Sequence, residues 1–132
     1  MKPESQKCLM DMFPCLFRRG PCFSAEHDFF QFEIGEGWFN LIWELSIKLH
    51  PYFEEHEELE IHQIKSKFGG LRFYTGGLPK DIACTLAGFI QAAEHESVTI
   101  CEVCGEEADP ERTQYVTLCP LHHVLRSQGI RT

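Results

Sequence analysis

A chain of 132 residues has the size of one domain and can bury a core without disulfides, and its 43% hydrophobic and 24% charged content excludes a disordered polymer. Twenty Asp and Glu against twelve Lys and Arg give a formal net charge of -8, which excludes a sequence-independent grip on phosphate backbone over the whole surface. The seven cysteines do not by themselves imply secretion: no uninterrupted apolar segment follows residues 1–7, because Asp11, Pro14 and Arg18-Arg19 break it, so no signal peptide is expected.

No run approaches the roughly 20 apolar residues that span a bilayer. The expected setting is soluble and cytoplasmic, without a membrane partner, and cysteines there are thiols or metal ligands.

In chain order, Leu9, Met10, Met12, Phe13, Leu16 and Phe17 recur at helical spacing that Pro14 interrupts, which predicts a short helix or two turns. Arg18-Arg19-Gly20-Pro21 predicts a turn. Phe30, Phe32 and Ile34 alternate over residues 29–34, as in a half-buried strand, and Gly35-Glu36-Gly37 breaks it. From Trp38 the period changes to about 3.6, and Phe39, Ile42, Leu45, Ser46, Leu49 and Phe53 fall on one helical stripe. Pro51 predicts an end near His50, or a kink before a last turn. Trp43 lies off the stripe and becomes an interface candidate if exposed.

The run Glu54-Glu55-His56-Glu57-Glu58 reads as a solvated charge cluster, and the next histidine, His62, is too far on for an H-E-x-x-H metalloprotease motif. Residues 59–74 predict a hairpin that turns at Gly69-Gly70, with Ile61, Ile64, Phe68, Leu71 and Phe73 as its apolar positions and a bulge between Ile61 and Ile64. A second long helix is predicted from the stripe Ile82, Leu86, Phe89, Ile90 and Ala93. Beyond it come an acidic loop over 106–111, a short strand over 114–118 and a helix from Cys119 through Arg126, stopped at Gly129. Without repeats or a low-complexity linker, 1–132 reads as a single domain, with an α+β body over 1–99 and a zinc-binding subregion over 100–132.

The strongest chemical signal is C-x2-C-x14-C-x2-H, formed by Cys101, Cys104, Cys119 and His122. Gly105 lets the first pair close into a knuckle whose amides point at the thiolates. In a helix, Cys119 and a histidine three or four residues on share a face, so His122 is the preferred fourth ligand and His123 the alternative. The order of knuckle, strand and helix resembles a treble-clef finger around Zn2+, and four protein ligands leave no open position, which points to a structural ion. An HNH-type nuclease needs a further histidine and a second metal, but no histidine lies between Cys104 and Cys119. Cys8, Cys15 and Cys22 recur every seven residues, and Cys84 stands apart. With His27 they form a second metal site only if the fold gathers them; their spacing matches no knuckle, and plain thiols are the simpler reading.

A second candidate site is the stretch with Lys65, Lys67, Gly69, Gly70, Arg72 and Tyr74. Cations and glycine amides at a turn suit a phosphate or other anion, and Tyr74 suits stacking on a base. The simpler alternative is a hairpin whose outer face is solubilised by Lys and Arg.

Four strings in this order, Phe13-Pro14-Cys15-Leu16-Phe17, Phe32-Glu33-Ile34-Gly35-Glu36-Gly37-Trp38, Lys67-Phe68-Gly69-Gly70-Leu71-Arg72-Phe73-Tyr74 and Cys101-Glu102-Val103-Cys104-Gly105, resemble a family of small uncharacterised proteins encoded by bacteriophages and bacteria. The resemblance implies a cytoplasmic, phage- or prophage-associated accessory protein and supplies no catalytic residue. The expected fold is α+β, with two long helices packed on a small antiparallel sheet and a C-terminal treble-clef-like zinc unit. The expected function is a non-enzymatic interaction protein whose partner is a host or phage protein. Nucleotide or single-stranded nucleic-acid binding at the hairpin is the first alternative. An enzyme with a cryptic cleft, the second, predicts that several titratable side chains converge in one pocket, and it loses its main support if His27, His62 and His95 are dispersed and singly exposed.

Overall fold

Helix α1 (Pro3–Met12) begins on a proline, whose missing N–H is one the first turn leaves unpaired anyway, and Pro14 opens the single turn α2 (Pro14–Phe17). Together they bury Leu9, Phe13, Leu16 and Phe17. The computed structural model describes residues 1–17, 30–111 and 115–130. The turn expected at 18–21, Cys22, His27, Phe29 and Gln114 lie outside those residues.

Strand β1 (Phe32–Glu33) is followed by a 3-10 turn (Glu36–Trp38), helix α3 (Phe39–Glu55), strands β2 (Glu60–Lys67) and β3 (Gly70–Gly76), helix α4 (Lys80–Ser97) and helix α5 (Pro120–Ser127). The fold is mixed α+β around one three-stranded sheet of order β1-β2-β3. That sheet is not purely antiparallel. The hairpin pairs β2 and β3 antiparallel, but Phe32 and Glu33 pair parallel with Ile64 and Lys65. The cause is α3: a helix between β1 and β2 supplies the crossover that a parallel pair needs.

Helix α3 runs through Pro51 to Glu55 and does not stop at His50. Phe53, on the turn beyond the proline, is fully buried, and burial of such a ring contributes about 1.5–3 kcal/mol, which offsets the lost backbone bond. The stripe residues Trp38, Ile42, Leu45, Ser46 and Leu49 are buried, and so is Leu41. Trp43 is half-buried, edge-on to Phe13 at 5.1 Å and stacked on Phe39 at 5.9 Å, so it packs against the helical layer.

The hairpin shows the expected irregularity between Ile61 and Gln63. Its turn lies one residue earlier than expected, because Lys67 pairs with Gly70 and the central residues are Phe68 and Gly69, with φ of 53° and 75°. Both positive φ values match a type I′ turn, whose twist suits a hairpin. Phe68 is therefore an exposed tip residue and not an apolar position of the inner face. The inner space at the tip is taken by Thr117, whose hydroxyl donates to the Gly69 carbonyl, and by Val98, which would stand 3.6 Å from a Cβ on Gly70.

Helix α4 packs on α3 and on β3, burying Leu86, Ile90 and Ala93. It also covers the outer edge of β3: Leu71 N donates to Ser97 Oγ at 2.9 Å, and Phe73 N donates to Glu94 Oε2 at 3.0 Å. These bonds satisfy amides that an open edge would present to another chain. Residues 115–118 form no strand, which corrects the expectation there: Thr117 O accepts from Glu102 N at 2.9 Å without a ladder, and the isolated bridge beside the knuckle pairs Ile100 with Glu107. Among the described residues no helix is long and apolar enough to cross a membrane.

Candidate metal centre

Cys101, Cys104, Cys119 and His122 come together, with their donor atoms all within 4.8 Å of one another. The knuckle closes because Gly105 takes a φ of +82° and donates its N–H to the Cys101 carbonyl at 2.9 Å. Cys101 N in turn donates to Glu106 O at 2.7 Å. On the other side Cys119 is the N-cap of α5, and its sulfur accepts from the His122 N–H. His122 lies three residues on, and its ring meets the Cys119 sulfur at 3.2 Å. His123 turns away, with Nδ1 4.0 Å from Asp109 Oδ2, so the fourth donor of the cluster is His122.

Two of the separations match the edges of one four-coordinate ion, and the Cys119–His122 pair is shorter. Tetrahedral bonds of about 2.3 Å to sulfur and about 2.0 Å to nitrogen give edges of about 3.8 Å between sulfurs and about 3.5 Å between sulfur and nitrogen. Cys104 and Cys119 Sγ stand 3.7 Å apart, and Cys101 Sγ is 3.6 Å from His122 Nδ1. Two of the thiols are perturbed in opposite directions. Burial raises the Cys101 thiol, but the amides of Cys104, Cys119 and Val103 and the Cys104 side chain outweigh it and hold its pKa below the ordinary thiol value. Cys104 is pushed up to about 11, by desolvation and by the Cys101 and Cys119 sulfurs beside it. Three sulfurs this close repel one another as thiolates, and a metal ion is what lets them ionise together.

The cluster is seated by residues that spacing did not reveal. Gly37 N donates to Glu102 O at 2.8 Å, and a Cβ on Gly37 would lie 2.0 Å from the Cys101 carbonyl oxygen. A Cβ on Gly35 would lie 2.1 Å from Glu102 O. Between them Glu36 accepts from the Ser5 hydroxyl and, at 2.9 Å, from the Lys2 amide, tying α1 to the same seat. Trp38 Nε1 donates to Ile100 O at 2.9 Å, and Ser66 Oγ donates to Glu102 Oε2 at 3.2 Å. Burial pushes the Glu102 carboxyl above its ordinary range, against the Ser66 hydroxyl and the Gly35 backbone, which stabilise its charge. The two glycines flanking Glu36 were the available signal, because a G-x-G just before a helix fits a close backbone approach as well as a strand break.

The hairpin candidates divide. Gly69 and Gly70 are buried at the docked tip, whereas Lys65, Lys67, Arg72 and Tyr74 share the outer face, since Lys65 pairs with Arg72, Lys67 with Gly70 and Gln63 with Tyr74. Cys8 and Cys84 are exposed on α1 and α4, Cys15 is half-buried on α2, and none joins a metal-donor group among the described residues. His62 and His95 are exposed on β2 and α4 and likewise join no such group among the described residues. No protein-family model, no curated protein and no solved structure matches the chain.

Proposed function

We propose that Cys101, Cys104, Cys119 and His122 hold a structural Zn2+ in a treble-clef-like unit, and that the chain is a zinc-stabilised, non-enzymatic interaction module. The observation that carries this reading is the donor set itself: three sulfurs and one imidazole nitrogen within 4.8 Å of one another, the number and kind that fill a tetrahedral zinc shell, with no further donor in the group among the described residues. Zn2+ bound there supplies charge neutralisation and four bonds. The chain's own residues turn those bonds into shape, because Gly37, Trp38, Ser66 and Thr117 each fasten the knuckle segment or its neighbours to the body. The treble-clef description rests on the order of the parts, a glycine-closed knuckle, a loop, and ligands from the first turn of a helix.

The resemblance to small phage and bacterial proteins supports a cytoplasmic, phage- or prophage-associated accessory role with a host or phage protein as partner. Leu121 and Val124, exposed one turn apart on α5, give such a partner apolar surface. A second reading is favoured by a different observation: Lys65, Lys67, Arg72 and Tyr74 face outward together, which suits a nucleotide or single-stranded nucleic acid.

Cobalt substitution tests the metal reading. The Co2+ form is expected to show intense visible d–d bands of a tetrahedral thiolate site, unchanged by added azide or imidazole. Weak octahedral bands, or bands that shift with the added ligand, would mean an open site and would overturn the structural assignment.

A further inference from the structure

The outer face of the hairpin carries more than cations. Phe68 occupies the first central position of the turn at φ 53°, a conformation that costs a non-glycine residue and that Asn or Gly takes readily. The residue is 59% exposed, so burial offsets little of the strain. Thr117, by donating to the Gly69 carbonyl, draws the segment after the knuckle against the hairpin tip, and Tyr115, 61% exposed, comes with it. The Phe68 and Tyr115 ring centroids are 6.4 Å apart. Along the strand, Tyr74 is 42% exposed beneath Lys65, whose Nζ lies 5.7 Å from the ring centroid, and Lys67 Nζ lies 5.6 Å from that of Phe68.

Electrostatics select the occupant. In a chain of net charge -8, Lys65, Lys67 and Arg72 stand on one face and none of them is in an ion pair among the described residues. Arg72 gives Nη1 to its neighbour's carbonyl, Leu71 O, at 3.1 Å, which leaves guanidinium donors over. Three cations are few for a duplex, whose bases also offer no free faces to exposed rings. An acidic polypeptide would answer the cations and leave the rings with little to stack on. Residues two apart on a strand, such as Lys65 and Lys67, lie about 6.8 Å apart, a spacing that suits successive phosphates of an extended single strand.

We infer that this face binds single-stranded nucleic acid, with Phe68, Tyr115 and Tyr74 stacking on bases and Lys65, Lys67 and Arg72 on phosphates. The inference rests on the second reading above and extends it to Phe68 and Tyr115. Strain at Phe68 then has a use, since it places a ring at the tip where turn chemistry alone would select Asn.

The test is fluorescence anisotropy of the zinc-loaded full chain with a labelled thymidine oligomer of about 15 nucleotides, run across a salt series and against thymidine triphosphate, a duplex and polyglutamate. Binding is expected to favour the oligomer over the other three, with a log–log salt slope of about -2 for three phosphate contacts. Tyr115→Ala is expected to weaken it by about 5-fold or more. Phe68→Asn is expected to weaken it similarly while the melting temperature holds or rises, a combination that a merely structural role for the ring does not give. Equal binding by both variants would overturn the stacking proposal; if Lys67→Ala still abolished that binding, the hairpin reading itself would stand. Absence of salt-dependent binding to oligomer and triphosphate alike would remove both. Tighter binding of polyglutamate would overturn the inference and assign the face to an acidic protein.

Discussion

Gly37 and Gly88 make opposite demands on the same residue type. A Cβ on Gly37 would stand 2.0 Å from the Cys101 carbonyl oxygen and 2.6 Å from Gly105 N, and both obstacles are backbone of the metal knuckle. Gly88, in the middle of α4, has nothing within 4 Å of the position a Cβ would take. Gly37→Ala is therefore expected to cost about 3 kcal/mol or more and to weaken metal binding, because the knuckle must lift from its seat. Gly88→Ala is expected to gain up to about 1 kcal/mol through helix propensity. Thermal unfolding of the two variants with zinc present measures the contrast; equal shifts of the same sign would show that the seat is not as close as described. The pair also marks a limit of legibility. Cys101, Cys104, Cys119 and His122 are readable from spacing because each half of the set is local, within one turn or one knuckle. Gly35 and Gly37 approach a segment more than sixty residues away, and nothing local distinguishes a glycine that must be bare from one that merely ends a strand.

Among the elements, β3 is the one whose surroundings decide its behaviour. It is an edge strand, and α4 answers its outward amides with Ser97 and Glu94. Ser97 is fully buried, accepts from Leu71 N and donates to Glu94 O at 2.6 Å. Ser97→Ala leaves the Leu71 amide without its partner, and the expected cost is about 1–3 kcal/mol, read by urea unfolding, with metal content unchanged. No loss of stability would mean that another group reaches Leu71 N. The two long apolar stripes were legible because periods near 3.6 persisted over many residues, through Pro51 in the case of α3. The parallel pairing of β1 was not, since only two residues carry it and the α3 crossover that causes it is a feature of connectivity. The hairpin turn was misplaced by one residue, from Gly69-Gly70 to Phe68-Gly69. Local turn chemistry favours the two glycines, but Thr117 and Val98 occupy the inner side of the tip and leave Phe68 outside.

At the scale of the whole molecule, the Cys/His segment is hydrogen-bonded to the α+β body at several points. Its carbonyls at Ile100 and Glu102 receive Trp38 Nε1 and Gly37 N, its Glu102 carboxylate receives Ser66, and its Thr117 holds the hairpin tip. A metal bound as proposed is thereby coupled to the arrangement of the body, and its binding free energy would add to folding. The claim on which this depends is that Cys101, Cys104, Cys119 and His122 are the ligands of a structural zinc ion. Metal analysis by plasma mass spectrometry of the purified chain, beside a Cys101→Ser, Cys119→Ser variant, tests it most directly. About one zinc per chain is expected, lost in the variant; a chain that binds no zinc when refolded with it, or a variant that keeps the full complement, would contradict that assignment.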